Sequence, residues 1–209
     1  MRALVLASAL LAALPAAGIA ADGSLVGRRA VTIAMAQCAV RRDPVAAERF
    51  VLADLPDADG AVPPELKAAR QRIIAVMVPC LGHSFGSATM PNVALRGFLA
   101  EALLTRDGGK RLAAARALPA ITPEAVTASP QLGVAFWRCV VAAAPQPSAD
   151  LLAAPDGSKE EGRLFDALSA TLQRCAPTDK GVRIKPGNVR PQVAAALYRR
   201  VSSGSGGAG

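Results

Sequence analysis

The stretch Ser158-Lys159-Glu160-Glu161-Gly162-Arg163-Leu164-Phe165-Asp166-Ala167-Leu168-Ser169-Ala170-Thr171-Leu172-Gln173-Arg174-Cys175 decides the fold class. Ser158 with Glu161 three residues on is a capping box, in which a hydroxyl and a carboxylate satisfy amides at a helix start. Leu164, Phe165, Leu168 and Leu172 then recur three and four apart and share one helical face. The spacing predicts a long amphipathic helix that ends on a cysteine.

An equivalent stretch lies earlier in the chain. Pro64-Glu65 opens a helix with Leu66, Ile73 and Met77 facing inward, and it ends at Cys80. Each of these helices is preceded by another Cys-bearing segment. Ile33-Ala34-Met35-Ala36-Gln37-Cys38-Ala39-Val40-Arg41-Arg42-Asp43-Pro44 matches Val134-Ala135-Phe136-Trp137-Arg138-Cys139-Val140-Val141-Ala142-Ala143-Ala144-Pro145, with Cys and Pro at the same offset. Each is followed by a similar closing helix. Leu95-Arg96-Gly97-Phe98-Leu99-Ala100-Glu101-Ala102-Leu103-Leu104-Thr105-Arg106 aligns with Val189-Arg190-Pro191-Gln192-Val193-Ala194-Ala195-Ala196-Leu197-Tyr198-Arg199-Arg200. Three landmarks recurring in one order predict an internal duplication.

The expected fold is therefore all-α: two tandem pseudo-repeated helical modules, each with an internal disulfide. Module 1 spans 22–106 and module 2 spans 130–201, with a linker at 107–129 in which Asp107-Gly108-Gly109 forms a turn. Asp43-Pro44, Thr122-Pro123 and Ser129-Pro130 read as an N-cap followed by proline at the first helical position. Val182-Arg183-Ile184-Lys185 alternates like a short strand, which leaves room for a small two-stranded β pairing between modules. Residues 202–209 are Ser/Gly-rich and read as a flexible tail. Ala and Leu dominate the rest, both strong helix formers.

Residues 1–21 read as a cleavable signal peptide. Met1-Arg2 supplies positive charge, Ala3 to Leu14 is apolar, and small residues follow Pro15. That apolar run is shorter than the about 20 residues needed to span a bilayer, and no later stretch is apolar enough to do so. The expected location is periplasmic or secreted. In such an oxidising compartment the four cysteines favour disulfides over metal or catalysis. Of the pairings open to four cysteines, the repeat selects Cys38–Cys80 and Cys139–Cys175, which keep the copies equivalent. With one histidine and no C-x-x-C, no metal site or cofactor is expected.

The pattern Cys-x-Val-Arg-Arg-x-Pro, a distant Cys and then Leu-Arg-x-x-Leu-Ala-Glu-Ala-Leu resembles uncharacterised exported proteins of alphaproteobacterial type. The second copy departs from it at Ala142-Ala143 and has Ala195 where the first has Glu101. The resemblance spans most of the chain and implies export. It implies no substrate and no catalytic residue.

Twenty-four Lys and Arg against 16 Asp and Glu give a net charge of +8. The bases are scattered, as at Arg28-Arg29, Arg41-Arg42 and Arg199-Arg200, and read mainly as solvated helix faces. With 3% aromatic residues there is little to stack on nucleobases, so no specific nucleic acid is expected. An anionic partner stays open.

The sharpest catalytic motif is Gly82-His83-Ser84-Phe85-Gly86, which fits the G-x-S-x-G elbow of α/β-hydrolases. It fails on chemistry, because Ser84 needs a separate histidine as base and His83 is the sole one. Asp107-Gly108-Gly109-Lys110-Arg111 lacks the first glycine and the hydroxyl of a phosphate loop. Glu101 with Glu160 and Glu161 could form a hydrolytic carboxylate pair, but Glu161 is explained by capping and Glu101 by an exposed helix face. Trp137 is expected to pack on the neighbouring disulfide. The function expected is that of a soluble extracytoplasmic, non-enzymatic binding or structural protein, whose partner is an envelope protein or an anionic envelope component. An envelope hydrolase is the alternative.

Overall fold

Proline at a first helical position leaves its missing amide where no helical bond is needed, and a side-chain oxygen just before it takes up a free amide. Asp43 does this for helix α2 (Pro44–Leu52), its Oδ1 accepting from the Ala46 amide at 2.9 Å. In the capping box at Ser158, Oγ accepts from the Glu161 amide at 3.1 Å. The return bond goes one residue further out than expected, from the Gly157 amide to Glu161 Oε2 at 2.7 Å.

The computed structural model describes residues 25–54, 62–80, 91–122, 132–177, 184 and 186–205. Among them the order is α1 (Leu25–Arg42), α2, α3 (Pro64–Met77) with a 3-10 turn at Val78–Cys80, α4 (Asn92–Arg116), α5 (Leu132–Ala143), α6 (Pro145–Ala153), α7 (Lys159–Cys175) and α8 (Pro186–Ser205). The all-α expectation holds. No strand occurs among the described residues, so the β pairing finds no support there: Ile184 is in no strand, and Val182, Arg183 and Lys185 lie outside those residues. So do Pro123, Ser129 and Pro130 of the two other N-cap pairs, and the expected signal peptide at 1–21.

Two disulfides link Cys38 to Cys80 and Cys139 to Cys175, with Cα separations of 5.9 and 5.8 Å. This is the pairing expected from the sequence, and disulfides of this kind belong to an oxidising environment. Among the described residues no helix is long and apolar enough to cross a membrane.

Asp107, Gly108 and Gly109 all take left-handed backbone, with φ of 55°, 70° and 75°. Glycine carries no steric penalty there and aspartate tolerates it, so the expected turn forms and bends α4 sharply. The chain beyond it is not a featureless linker, because it resumes helix to Arg116 and buries Leu112 and Ala115. At the C-terminus α8 runs to Ser205, four residues into the expected tail, with Ser203 Oγ donating to the Arg199 carbonyl at 2.9 Å.

The core sits around the crossing of α4 and α8, the most extensive helix pair. The two backbones meet at Gly97 and Pro191, where a Cβ on Gly97 would stand 2.4 Å from both Cβ and O of Pro191. Only glycine permits that approach. Leu95, Leu99, Leu103, Val189, Val193 and Leu197 fill the seam on either side. α1, α2 and α6 pack on α4, and α5 packs on α8, with α6 also touching α8.

A candidate anion site at the crossing of the closing helices

Two arginines flank the Gly97–Pro191 crossing at aligned positions of α4 and α8, Arg96 and Arg190. They are 4% and 5% exposed. A guanidinium cannot lose its charge in a protein, so a buried one needs a carboxylate and hydrogen-bond acceptors.

Arg190 has both. Its Nε donates to Glu101 Oε1 at 2.8 Å, and its Nη2 stands 2.7 Å from the same oxygen. Its Nη1 donates to the Leu151 and Ala154 carbonyls, and its Nη2 to the Leu152 carbonyl, at 2.8–3.1 Å. These are end carbonyls of α6 that lack helical partners, and a cation is favourable there. Glu161 Oε1 adds a contact to Nη1 at 3.3 Å. Burial pulls the Arg190 pKa down, but the hydrogen bond and charge of Glu101, then those of Glu161, outweigh it and leave the pKa raised. Arg29 extends the cluster. Its Nη2 donates to Glu161 at 3.2 Å, and its Nε lies 2.8 Å from Asp156 Oδ1 as an ion pair off the hydrogen-bonding line.

Arg96 has neither. Its Nε and Nη2 are buried without a hydrogen-bond partner. Its guanidinium lies 5.9 Å from the centre of the Phe50 ring, a weak cation–π contact. The carbonyls at the end of α2, next to Phe50, are taken instead by Arg199, which donates to Leu52 and Ala53. Burial, then repulsion from Arg199, push the Arg96 pKa down to about 10, with Asp54 opposing. Arg199 is lowered too, by burial first, with Asp54 opposing and Arg138 adding to the fall.

Arg96, Arg138 and Arg199 open onto one recess of about 30 Å³, together with Trp137, Gln192 and Ala195. Among the described residues no acid lines it. Asp54, whose side chain is 90% exposed, reaches Arg199 from outside at 3.8 Å. The recess is thus an electropositive pocket with a buried cation in its wall that no carboxylate contacts directly, Asp54 opposing its charge only from a distance.

Several sequence expectations change here. Glu101 is not on an exposed face, because α8 covers that side of α4 and leaves the residue 6% exposed beside Arg190. Glu101 and Glu161 do converge, but on a shared arginine, with Glu101 buried; Glu160 is exposed and bound to Arg163. The arginines are only partly solvated helix faces: Arg190, Arg199 and Arg200 close the ends of α6, α2 and α5. Trp137 stands half-buried at the recess, edge-on to Phe136 with ring centres 4.8 Å apart. It also packs against the core that contains Cys139 and Cys175. His83 and Ser84 lie outside the described residues. No group of histidine, cysteine and acidic side chains able to hold a metal occurs among the described ones.

A larger hollow lies elsewhere, a trough of about 860 Å³ between α2 and α3 with Val45, Leu52 and Ala69 in its walls. Its Arg72 and Asp43 are already paired at 2.8 Å. Glu48, which also lines this trough, accepts from Tyr198 at 2.7 Å, while Tyr198 accepts from Arg111, and burial, then Glu48, push the Tyr198 pKa up to about 12. Both groups are satisfied within the fold. Sequence reasoning missed Arg96, although one signal was present: Arg recurs at 96 and 190 while Glu101 faces Ala195 in the alignment.

Comparison of the chain with protein-family models, with curated proteins and with solved structures finds no match.

Proposed function

We propose that the chain is an exported, soluble, periplasmic or secreted protein that acts without catalysis, by binding an anionic component of the cell envelope through the Arg96 recess. One observation carries this reading: a buried arginine without hydrogen-bond partners at Nε and Nη2 opens, beside Arg138 and Arg199, onto a recess with no acid in its lining. Burying an unpaired charge costs stability. Titratable groups that converge in a recess with pKa values shifted by burial and a neighbouring charge mark a candidate functional site. The two disulfides and the apolar N-terminal run support export.

We also read the two halves as copies of one module. The order of elements supports this, as does the nine-residue length of both α2 and α6. So does the meeting of α4 and α8 at the aligned pair Gly97 and Pro191.

The test titrates the purified, oxidised protein with heparin, with vesicles of anionic phospholipid and with small anions at fixed ionic strength. Trp137 is the sole tryptophan and lies at the recess, so its emission reports occupancy. At least one of these anions should shift that emission saturably in the wild type and not in Arg96→Met. No shift with any of them overturns the reading.

A further inference from the structure

We infer that the recess beside Arg96 takes a single carboxylate group, in the place that a glutamate at position 195 would fill. This deepens the anion-binding reading above and rests on it.

Arg190 on α8 is neutralised across the crossing by Glu101 on α4. The alignment of the two closing helices pairs Arg190 with Arg96 and Glu101 with Ala195. A helix pair that crosses at aligned positions brings the residues around the crossing together in the same way on both sides. Position 195 therefore stands to Arg96 as Glu101 stands to Arg190, and Ala195 does line the recess together with Arg96. The other acid that touches Arg190 is Glu161. Counting back from the paired cysteines Cys175 and Cys80, its counterpart is Leu66, which is fully buried. Both carboxylates that serve Arg190 are thus replaced by apolar residues on the Arg96 side, while the arginine is retained. The surroundings compensate only in part: Arg138 and Arg199 add positive charge, the α2 end carbonyls of Leu52 and Ala53 are occupied by Arg199, and the exposed Asp54 acts on Arg96 without contacting it.

The dimensions select the ligand. A recess needs roughly 10–15 Å³ to hold one water-sized group. The about 30 Å³ present is small and opens to solvent, so it takes a small group such as a carboxylate and leaves the body of the ligand outside. A carboxylate also matches the planar fork of a guanidinium. Trp137 forms part of the wall, where it can cover whatever carries the carboxylate.

The test uses the whole oxidised protein and Trp137 emission, checked by calorimetry. The ligands are acetate, glucuronate, and trialanine with a free or an amidated C-terminus, against chloride, phosphate and sulfate at equal ionic strength. Acetate alone reports the bare group, glucuronate an acidic sugar, and the two peptides a chain end. The expected result is saturable binding of at least one carboxylate, at least ten-fold weaker in Arg96→Met and in Ala195→Glu. The latter supplies the carboxylate from within and should raise the melting midpoint; if it does not fold, Arg96→Met and Arg96→Lys carry the comparison, with Lys retaining partial binding. Arg96-dependent binding of phosphate or sulfate with no response to any carboxylate overturns this inference and leaves the anion-binding reading standing. Carboxylate binding unchanged in Arg96→Met overturns the inference, and silence from every anion overturns both.

Discussion

Removing the Glu101 carboxylate should show how strongly the two halves are locked together. In Glu101→Ala, Arg190 keeps its three carbonyl acceptors and the 3.3 Å contact to Glu161 but loses its close counter-ion. Breaking a buried pair by removing one partner costs about 3–5 kcal/mol, and the residual partners put this variant at the lower end. Arg190→Met should cost at least about 2 kcal/mol more. It strands Glu101 without a cation and orphans the Leu151, Leu152 and Ala154 carbonyls, at roughly 1–3 kcal/mol for each buried unmade bond. The double variant leaves no buried charge, so it should be less destabilised than the sum of the singles, with a coupling of about 2–3 kcal/mol. Urea unfolding followed by far-ultraviolet dichroism, with disulfides intact, measures all four corners of the cycle. A Glu101→Ala cost below about 1 kcal/mol, or strictly additive singles, would refute the view that this ion pair ties α4 to α8.

Other outcomes follow from the same contacts. Gly97→Ala places a methyl 2.4 Å from the Pro191 backbone, which a side-chain shift does not relieve; overpacking of about 1–3 kcal/mol should appear as a lower urea midpoint. Reduction should lower the melting temperature markedly, since closing loops across separations of 42 and 36 residues gives each bridge roughly 4 kcal/mol by chain entropy; an unchanged midpoint in dithiothreitol would contradict it. The Asp43 pKa lies below its ordinary value, held there by the Ala46 amide and then by Arg72. A depressed carboxylate contributes stability above its unfolded pKa and loses it as the pH falls through the folded one. Asp43→Asn keeps the cap, so its deficit against wild type should be present at pH 7 and vanish below the carboxylate range, read from melting curves at both pH values. Arg96 carries the opposite sign, for a base whose folded pKa falls to about 10 is destabilising while charged. Arg96→Met should therefore melt at or above the wild-type temperature at neutral pH, and a clear drop would show that the side chain is structural.

Much of the fold was legible along the chain because the signals are local. Asp43-Pro44 and Ser158 to Glu161 name helix starts through bonds that span three residues, and Leu164, Leu168 and Leu172 name a buried face through spacing alone. The cysteine pairing was legible for a different reason: two stretches of the same order give each disulfide one equivalent partner. Which polar groups are buried was not legible, because that depends on what lies across the crossing. Glu101 and Arg106 share a helix and look alike in sequence, yet α8 covers the first and leaves the second half-exposed. Arg96 and Arg190 occupy aligned positions, but one faces Glu101 and the other faces Ala195. A glutamate or an alanine in the opposite helix decides whether a buried guanidinium is a structural tie or an open cation, and only the close approach of Gly97 to Pro191 brings that opposite residue into reach.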